Sequence, residues 1–96
     1  MNRKLFAPSA DRNKYPILEV LKKYLKVDDK KQSLSCLEVS SGSGQHVVFF
    51  GSNFSYVNFQ PSELTDENVE SIQEYVTEAQ LPNISPPLKL DILNPI

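Results

Sequence analysis

Glu38, Gly42, Gly44 and Glu63 are the residues of this 96-residue chain whose types and spacing could do chemistry. Leu34, Cys36, Leu37 and Val39 are apolar and β-compatible and predict a strand, with Glu38 at its end. Ser40-Ser41-Gly42-Ser43-Gly44 breaks that pattern. Gln45 to Phe50 then resumes an apolar run that reads as a buried helix. A Gly-rich turn feeding a helix N-terminus gathers free backbone N–H groups at one spot. Glycine is needed there because a Cβ would keep a ligand off the backbone. The stretch therefore predicts a nucleotide-like ligand over the turn. A strand, a Ser/Gly loop and a helix with no ligand fit the same spacing, since a lone G-x-G is a weak signal.

The neighbouring residues narrow the ligand. A dinucleotide fingerprint wants G-x-G-x-x-G, and Val47 stands at its third position, which disfavours an NAD site. A phosphate-binding loop needs a Lys after its last glycine, and Gly44 is followed by Gln45. Glu38, four residues before Gly42, would repel a pyrophosphate. It suits a ligand with an ammonium and a sulfonium, such as S-adenosylmethionine. Glu63 follows Gly44 by 19 residues, near the ~20-residue spacing of a ribose-binding acid after a Gly-rich turn. A loop charge ahead of a helix cap is the other reading of Glu63. His46 is the only histidine. A single His with no activated nucleophile makes neither a metal site nor a triad, so its part is at most a wall of the cofactor pocket.

Glu38-Val39-Ser40-Ser41-Gly42-Ser43-Gly44-Gln45-His46 resembles motif I of class I methyltransferases, E/D-x-x-x-G-x-G. Three more segments resemble the methyltransferase-like protein 26 family: Asp11-Arg12-Asn13-Lys14-Tyr15-Pro16-Ile17-Leu18, Phe59-Gln60-Pro61-Ser62-Glu63 and Pro86-Pro87-Leu88-Lys89-Leu90-Asp91. The four blocks run in family order from about residue 11 to residue 93. The resemblance implies S-adenosylmethionine as cofactor, with Asp91 reaching the adenine amino group and Arg12 and Asn13 in a block that folds over the cofactor. Asp91 as a plain strand-end charge and Arg12 as a residue of a solvated helix face fit equally. The family pattern usually has Asp where Glu63 stands.

Composition bounds the rest. Hydrophobic residues make up 40% and charged residues 23% of the chain, values of a soluble globular protein of one small domain. No apolar run approaches membrane-spanning length, so no membrane partner is expected. Met1–Phe6 has no apolar core of a signal peptide. Cys36 is the only cysteine and reads as a buried, inert thiol. A reducing location follows as the default, the cytoplasm with the nucleus left open. Nine of the ten Lys and Arg lie at or before Lys31, and eight of the twelve acids lie beyond it. Two solvated helix faces of opposite sign account for this. Only Tyr15 and Tyr24 could interleave the basic residues, so there is no clear nucleic-acid signal.

The elements that must position the acids follow in order. Residues 1–10 lack periodicity and read as a mobile arm, leaving 11–96 as the folded half-domain. Asn13 could cap a helix with Pro16 in its first turn. Ile17, Leu18, Leu21, Tyr24 and Leu25 form its apolar stripe. Val27 to Ser33 is a polar connection. The helix from about Gln45 is apolar nearly all round, which expects burial on more than one side. Tyr56, Val57 and Phe59 predict a second strand closed by Pro61. Thr65 caps a helix running to about Gln80, and Leu88 to Leu90 predicts a third strand. Alternation of strands and helices implies an α/β fold with a parallel sheet. The resemblance implies a truncated Rossmann-like class I methyltransferase fold, three strands in the order 3-2-1 with helices on one face.

The chain resembles the N-terminal half of such an enzyme. The motif that lines the methyl acceptor would come after Asp91, so the acceptor is unknown and the chain alone is not expected to be catalytically competent. A non-catalytic isoform or fragment acting as a binding module is the alternative. The first strand would then carry an unpaired outer edge, and self-association through that edge is expected.

Overall fold

The computed structural model describes residues 3–26, 33–91 and 93. The elements are α1 (Pro8–Tyr24), β1 (Leu34–Glu38), α2 (Gln45–Asn53), β2 (Val57–Glu63), α3 (Asp66–Ala79) and β3 (Leu88–Lys89). The sheet order is β1-β2-β3, with both pairings parallel. This is the expected α/β arrangement of three strands with the second in the middle.

The helices lie over one sheet face. Leu34, Cys36 and Glu38 of β1 alternate with exposed Ser35 and Leu37, and buried Val57, Phe59 and Pro61 of β2 alternate with Asn58 and Gln60. α2 sits over β2 between α1 and α3. Burial on more than one side accounts for its apolar Val47, Phe50 and neighbouring side chains. The core is Leu18, Val47, Phe50, Phe54, Val57, Phe59, Ile72 and Ile84. Buried Asn83 closes one end of it. Its side-chain amide has two protons and donates to the carbonyls of Gly51, Phe54 and Val57, each at 3.0 Å. One proton is therefore shared, and the end of α2 is tied to the start of β2.

Three local expectations are corrected. First, α1 begins at Pro8 and runs through both Asn13 and Pro16. Pro8 fits the first turn, where its missing N–H costs nothing. Pro16 instead deprives the Arg12 carbonyl of its helical donor, tolerable because that turn faces solvent. Of the expected arm, described residues 3–7 lie against α3 and α2 through hydrogen bonds at Leu5 and Ala7. The connection expected at Val27–Ser33 lies outside the described residues except for Ser33.

Second, Pro61 lies inside β2 and does not close it. Phe59 donates to Asn83 and Glu63 accepts from Leu90, so alternate residues from Phe59 to Glu63 face β3. Pro61 therefore presents its missing N–H to the interval between the Ile84 bridge and Leu88, where the ladder is interrupted. A proline is compatible with a strand at such a position. The Gln60 side chain spans the break, donating to the carbonyls of Pro61 (2.9 Å) and Pro86 (2.8 Å).

Third, Tyr24 is 77% exposed and takes no part in the α1 stripe. Leu18 is buried there and Ile17, Leu21 and Leu25 pack beside it. α3 begins as its cap predicts: Thr65 Oγ1 accepts from the Asn68 N–H, and Asp66 and Glu67 occupy the first turn, favourable to the helix dipole. Among the described residues no helix is long and apolar enough to cross a membrane.

Candidate functional site

The loop between β1 and α2 takes its shape from alternating backbone signs. Ser40, Gly42 and Gly44 have φ of +57°, +64° and +103°, and no positive φ occurs between them. Of the loop's N–H groups, Ser41 donates to the Ser62 carbonyl and Gly44 to the Ser41 carbonyl, while Gly42 donates to a carboxylate. The two glycines serve different ends. An added Cβ at Gly42 would meet nothing within 4 Å, so the loop is open to an approaching molecule there. An added Cβ at Gly44 would lie 2.9 Å from the Ile72 Cα and 3.2 Å from the Tyr75 ring. Gly44 is therefore required by its close approach to α3.

The anion on the Gly42 N–H is the protein's own. Glu63, at the end of β2, accepts from the Gly42 N–H through Oε2 at 2.9 Å and from the Leu64 N–H through Oε1 at 2.7 Å. Each carboxylate oxygen keeps a further lone pair for an incoming donor. Two buried serines join the strand ends beneath. Ser41 N–H donates to the Ser62 carbonyl and Ser62 N–H to Ser41 Oγ, while both hydroxyls donate to the Glu38 carbonyl. Sequence reasoning took Ser41 only as a pattern breaker; its signal was position, at the mouth of a parallel strand pair.

Glu38 stands at the end of β1 with Oε1 buried and without a hydrogen-bond partner. Burial pushes its carboxyl above the ordinary value, while Ser41 and the charge of His46 pull the other way. His46 Nε2 lies 2.9 Å from the Ala10 carbonyl oxygen, an acceptor only, so this nitrogen carries the proton. The ring also stacks on Phe50 at 5.3 Å. His46 and Glu38 line a cleft of about 350 Å³ with Ile17, Leu21, Val39 and Phe50. A cavity of about 440 Å³ lies elsewhere, between the helices and Phe6, and none of the expected site residues lines it.

Glu38, Gly42, Gly44, His46 and Glu63 thus gather at the carboxyl ends of β1 and β2, where ligands bind in open α/β sheets. Asp91 lies half-buried just past β3, with Oδ1 accepting from the Leu93 N–H. Arg12 and Asn13 are exposed on α1, outside this cluster. Cys36 is half-buried and its thiol is pushed up by burial and then by Glu38, in keeping with an inert thiol. Among the described residues no cluster of three potential ligands could hold a metal ion. Residues 4–96 match a protein family described as "Protein of unknown function (DUF938)".

Proposed function

The chain belongs to the DUF938 family, and from that premise we propose that it is the cofactor-binding half of an S-adenosylmethionine-dependent methyltransferase, similar to the methyltransferase-like protein 26 family. The observation that carries this reading is Glu63 on the Gly42 N–H, beneath open space. A carboxylate already seated on the loop makes it hostile to phosphate and receptive to hydroxyl donors. A ribose supplies two such donors, and Glu63 has its remaining lone pairs for them. Glu38 adds a buried acid nearby, one of whose oxygens has no hydrogen-bond partner. Burial of a lone carboxylate is costly, and a cationic ligand would relieve that cost. An ammonium- and sulfonium-bearing nucleoside meets both demands; NAD also offers ribose hydroxyls, but its pyrophosphate would be repelled by Glu38 and Glu63.

In this reading Glu63 holds the ribose, Glu38 favours the cationic methionine end, Gly42 gives access and His46 walls the cleft. Asp91 would face the adenine amino group, and Arg12 and Asn13 would lie over the cofactor. The cofactor supplies a methyl group on a positive sulfur; the chain's own residues bind and orient it and raise the local negative potential. In this reading the chain alone would transfer no methyl group. Calorimetry provides the test. S-adenosylhomocysteine should bind and NAD should not; binding of neither, or of NAD alone, refutes the reading. Methyl transfer by this chain above that of a Gly42→Val control would refute the inactivity.

A second reading, an interaction module, is favoured by the free edge of β1. Ser35 and Leu37 direct their backbone groups away from β2, and the side chains of Leu37 and Val39 are 56% and 44% exposed. Such an edge is a template for another strand, and we propose a second copy of this chain as its occupant. Size-exclusion chromatography should show a concentration-dependent dimer that Leu37→Lys disperses; a monomer at every concentration would overturn it.

A further inference from the structure

We propose that the segment Arg3–Ala7 is a strap that holds the Gly-rich loop in its ligand-receiving shape, with Ser71, Tyr75 and Gln45 as the positioning residues between them. The proposal rests on the reading of that loop as the cofactor cradle.

Each of the three residues bonds the strap and touches the loop. Ser71 is fully buried; its Oγ accepts from the Leu5 N–H at 2.8 Å and donates to the Ser43 carbonyl at 2.6 Å. The Tyr75 hydroxyl donates to the Leu5 carbonyl at 2.8 Å, while the same ring backs the Cα of Gly44. Gln45 Oε1 accepts both from the Ala7 N–H at 2.7 Å and from the Ser43 hydroxyl at 2.6 Å. The backbone of Leu5 and Ala7 thus completes hydrogen bonds whose other ends lie on Ser43, and fixes the ring that packs beside Gly44. Loss of the strap would leave Ser71 Oγ and Gln45 Oε1 each short of a partner, and a buried polar atom without a partner seeks another. The nearest alternatives are groups of the loop itself.

The strap is held more firmly inside than outside. Its outer contacts are ion pairs, Arg3 with Glu70 at 3.2 Å and Lys4 with Glu78 at 2.8 Å, in which three of the four side chains are at least half exposed. Pairs of this kind contribute little and are screened by salt. The inner hydrogen bonds to Ser71, Tyr75 and Gln45 therefore carry the coupling. By reciprocity, a ligand that orders the loop also tightens the strap.

Two variants of the full chain test this. Tyr75→Phe keeps the ring against Gly44 and removes the bond to Leu5. Leu5→Pro removes the donor to Ser71 and leaves Ser71 in place. Amide hydrogen exchange at Gly42 and Gly44, followed by NMR, should accelerate about fivefold in each, the effect of one net hydrogen bond, while Phe59 in the core strand stays unchanged. S-adenosylhomocysteine affinity should fall by a similar factor. Loop amides that exchange at the wild-type rate while the Ala7 amide accelerates in both variants would overturn the strap. A wild-type chain that fails to bind the nucleoside refutes the cofactor reading instead, and the exchange rates still decide the strap.

Discussion

Gly44→Val unfolds the chain or costs it more than about 4 kcal/mol, whereas Gly42→Ala leaves it folded at a cost of about 1 kcal/mol. The two glycines are two residues apart, and both have positive φ. At Gly44 the new Cβ meets the Cα of Ile72 at 2.9 Å, a backbone atom in the middle of α3 that cannot step aside. The φ of +103° lies beyond the left-handed well, so an L-residue adds strain of about 1–3 kcal/mol to the overpacking. At Gly42 the φ of +64° falls within that well and the space is open. Thermal melting by circular dichroism separates the cases. A Gly44→Val chain that melts within a few degrees of wild type would show that α3 does not press on the loop.

Glu38→Gln should make the fold more stable at neutral pH by about 1 kcal/mol, and should weaken S-adenosylmethionine binding on the order of 100-fold. The two effects have one cause. The carboxylate has a buried oxygen without a partner, and burial raises its pKa above that of the unfolded chain. A group with a raised folded value binds its proton more tightly in the native state. The fold is thus unpenalised below the unfolded carboxyl value, about 4.3, and loses stability as pH rises through the folded one. The advantage of the Gln variant grows across that window and vanishes at lower pH. Denaturant melts at several pH values measure the stability arm, and calorimetry measures the binding arm. Equal binding by both chains would remove Glu38 from the site; a less stable Gln variant at neutral pH would mean that the acid has a partner in solution.

Much of this was legible in the sequence because the governing signals are local. The strand ending at Glu38, the Ser/Gly break, the helix from Gln45 and the Thr65 cap each depend on residues within one or two turns. The all-round apolar Val47–Phe50 run announced a helix with neighbours on several sides, and α2 has α1, α3 and β2 around it. The misreadings share a different origin. Whether Pro61 ends a strand depends on which neighbour its N–H would face, a property of the assembled sheet. The start of α1 could be drawn from Pro8 or from Asn13, and the local rules favour both residues. The requirement for Gly44 comes from Ile72, 28 residues on, and the contacts of Leu5 come from Ser71 and Tyr75, 66 and 70 residues on. Glu63 was found by spacing, but its seat on the Gly42 amide belongs to the fold alone.

The interruption opposite Pro61 divides the sheet into parts of unequal cooperativity. β1 and β2 share a five-residue register, stitched at its end by Ser41 and Ser62. β3 pairs over only two residues, and a side-chain amide bridges the interval before it. Opening β3 therefore need not disturb the Phe59–Ile84 bridge or the core behind it. The pairing is thus sparsest along Pro61–Pro86, where the outer strand would open first. The acid at its end, Asp91, then belongs to the part of the molecule that a ligand would have to order, while Glu38 and Glu63 belong to the part already set. In the proposed site the contacts of Glu38 and Glu63 would be preorganised and that of Asp91 acquired on binding, so the ordering cost would fall on the outer strand.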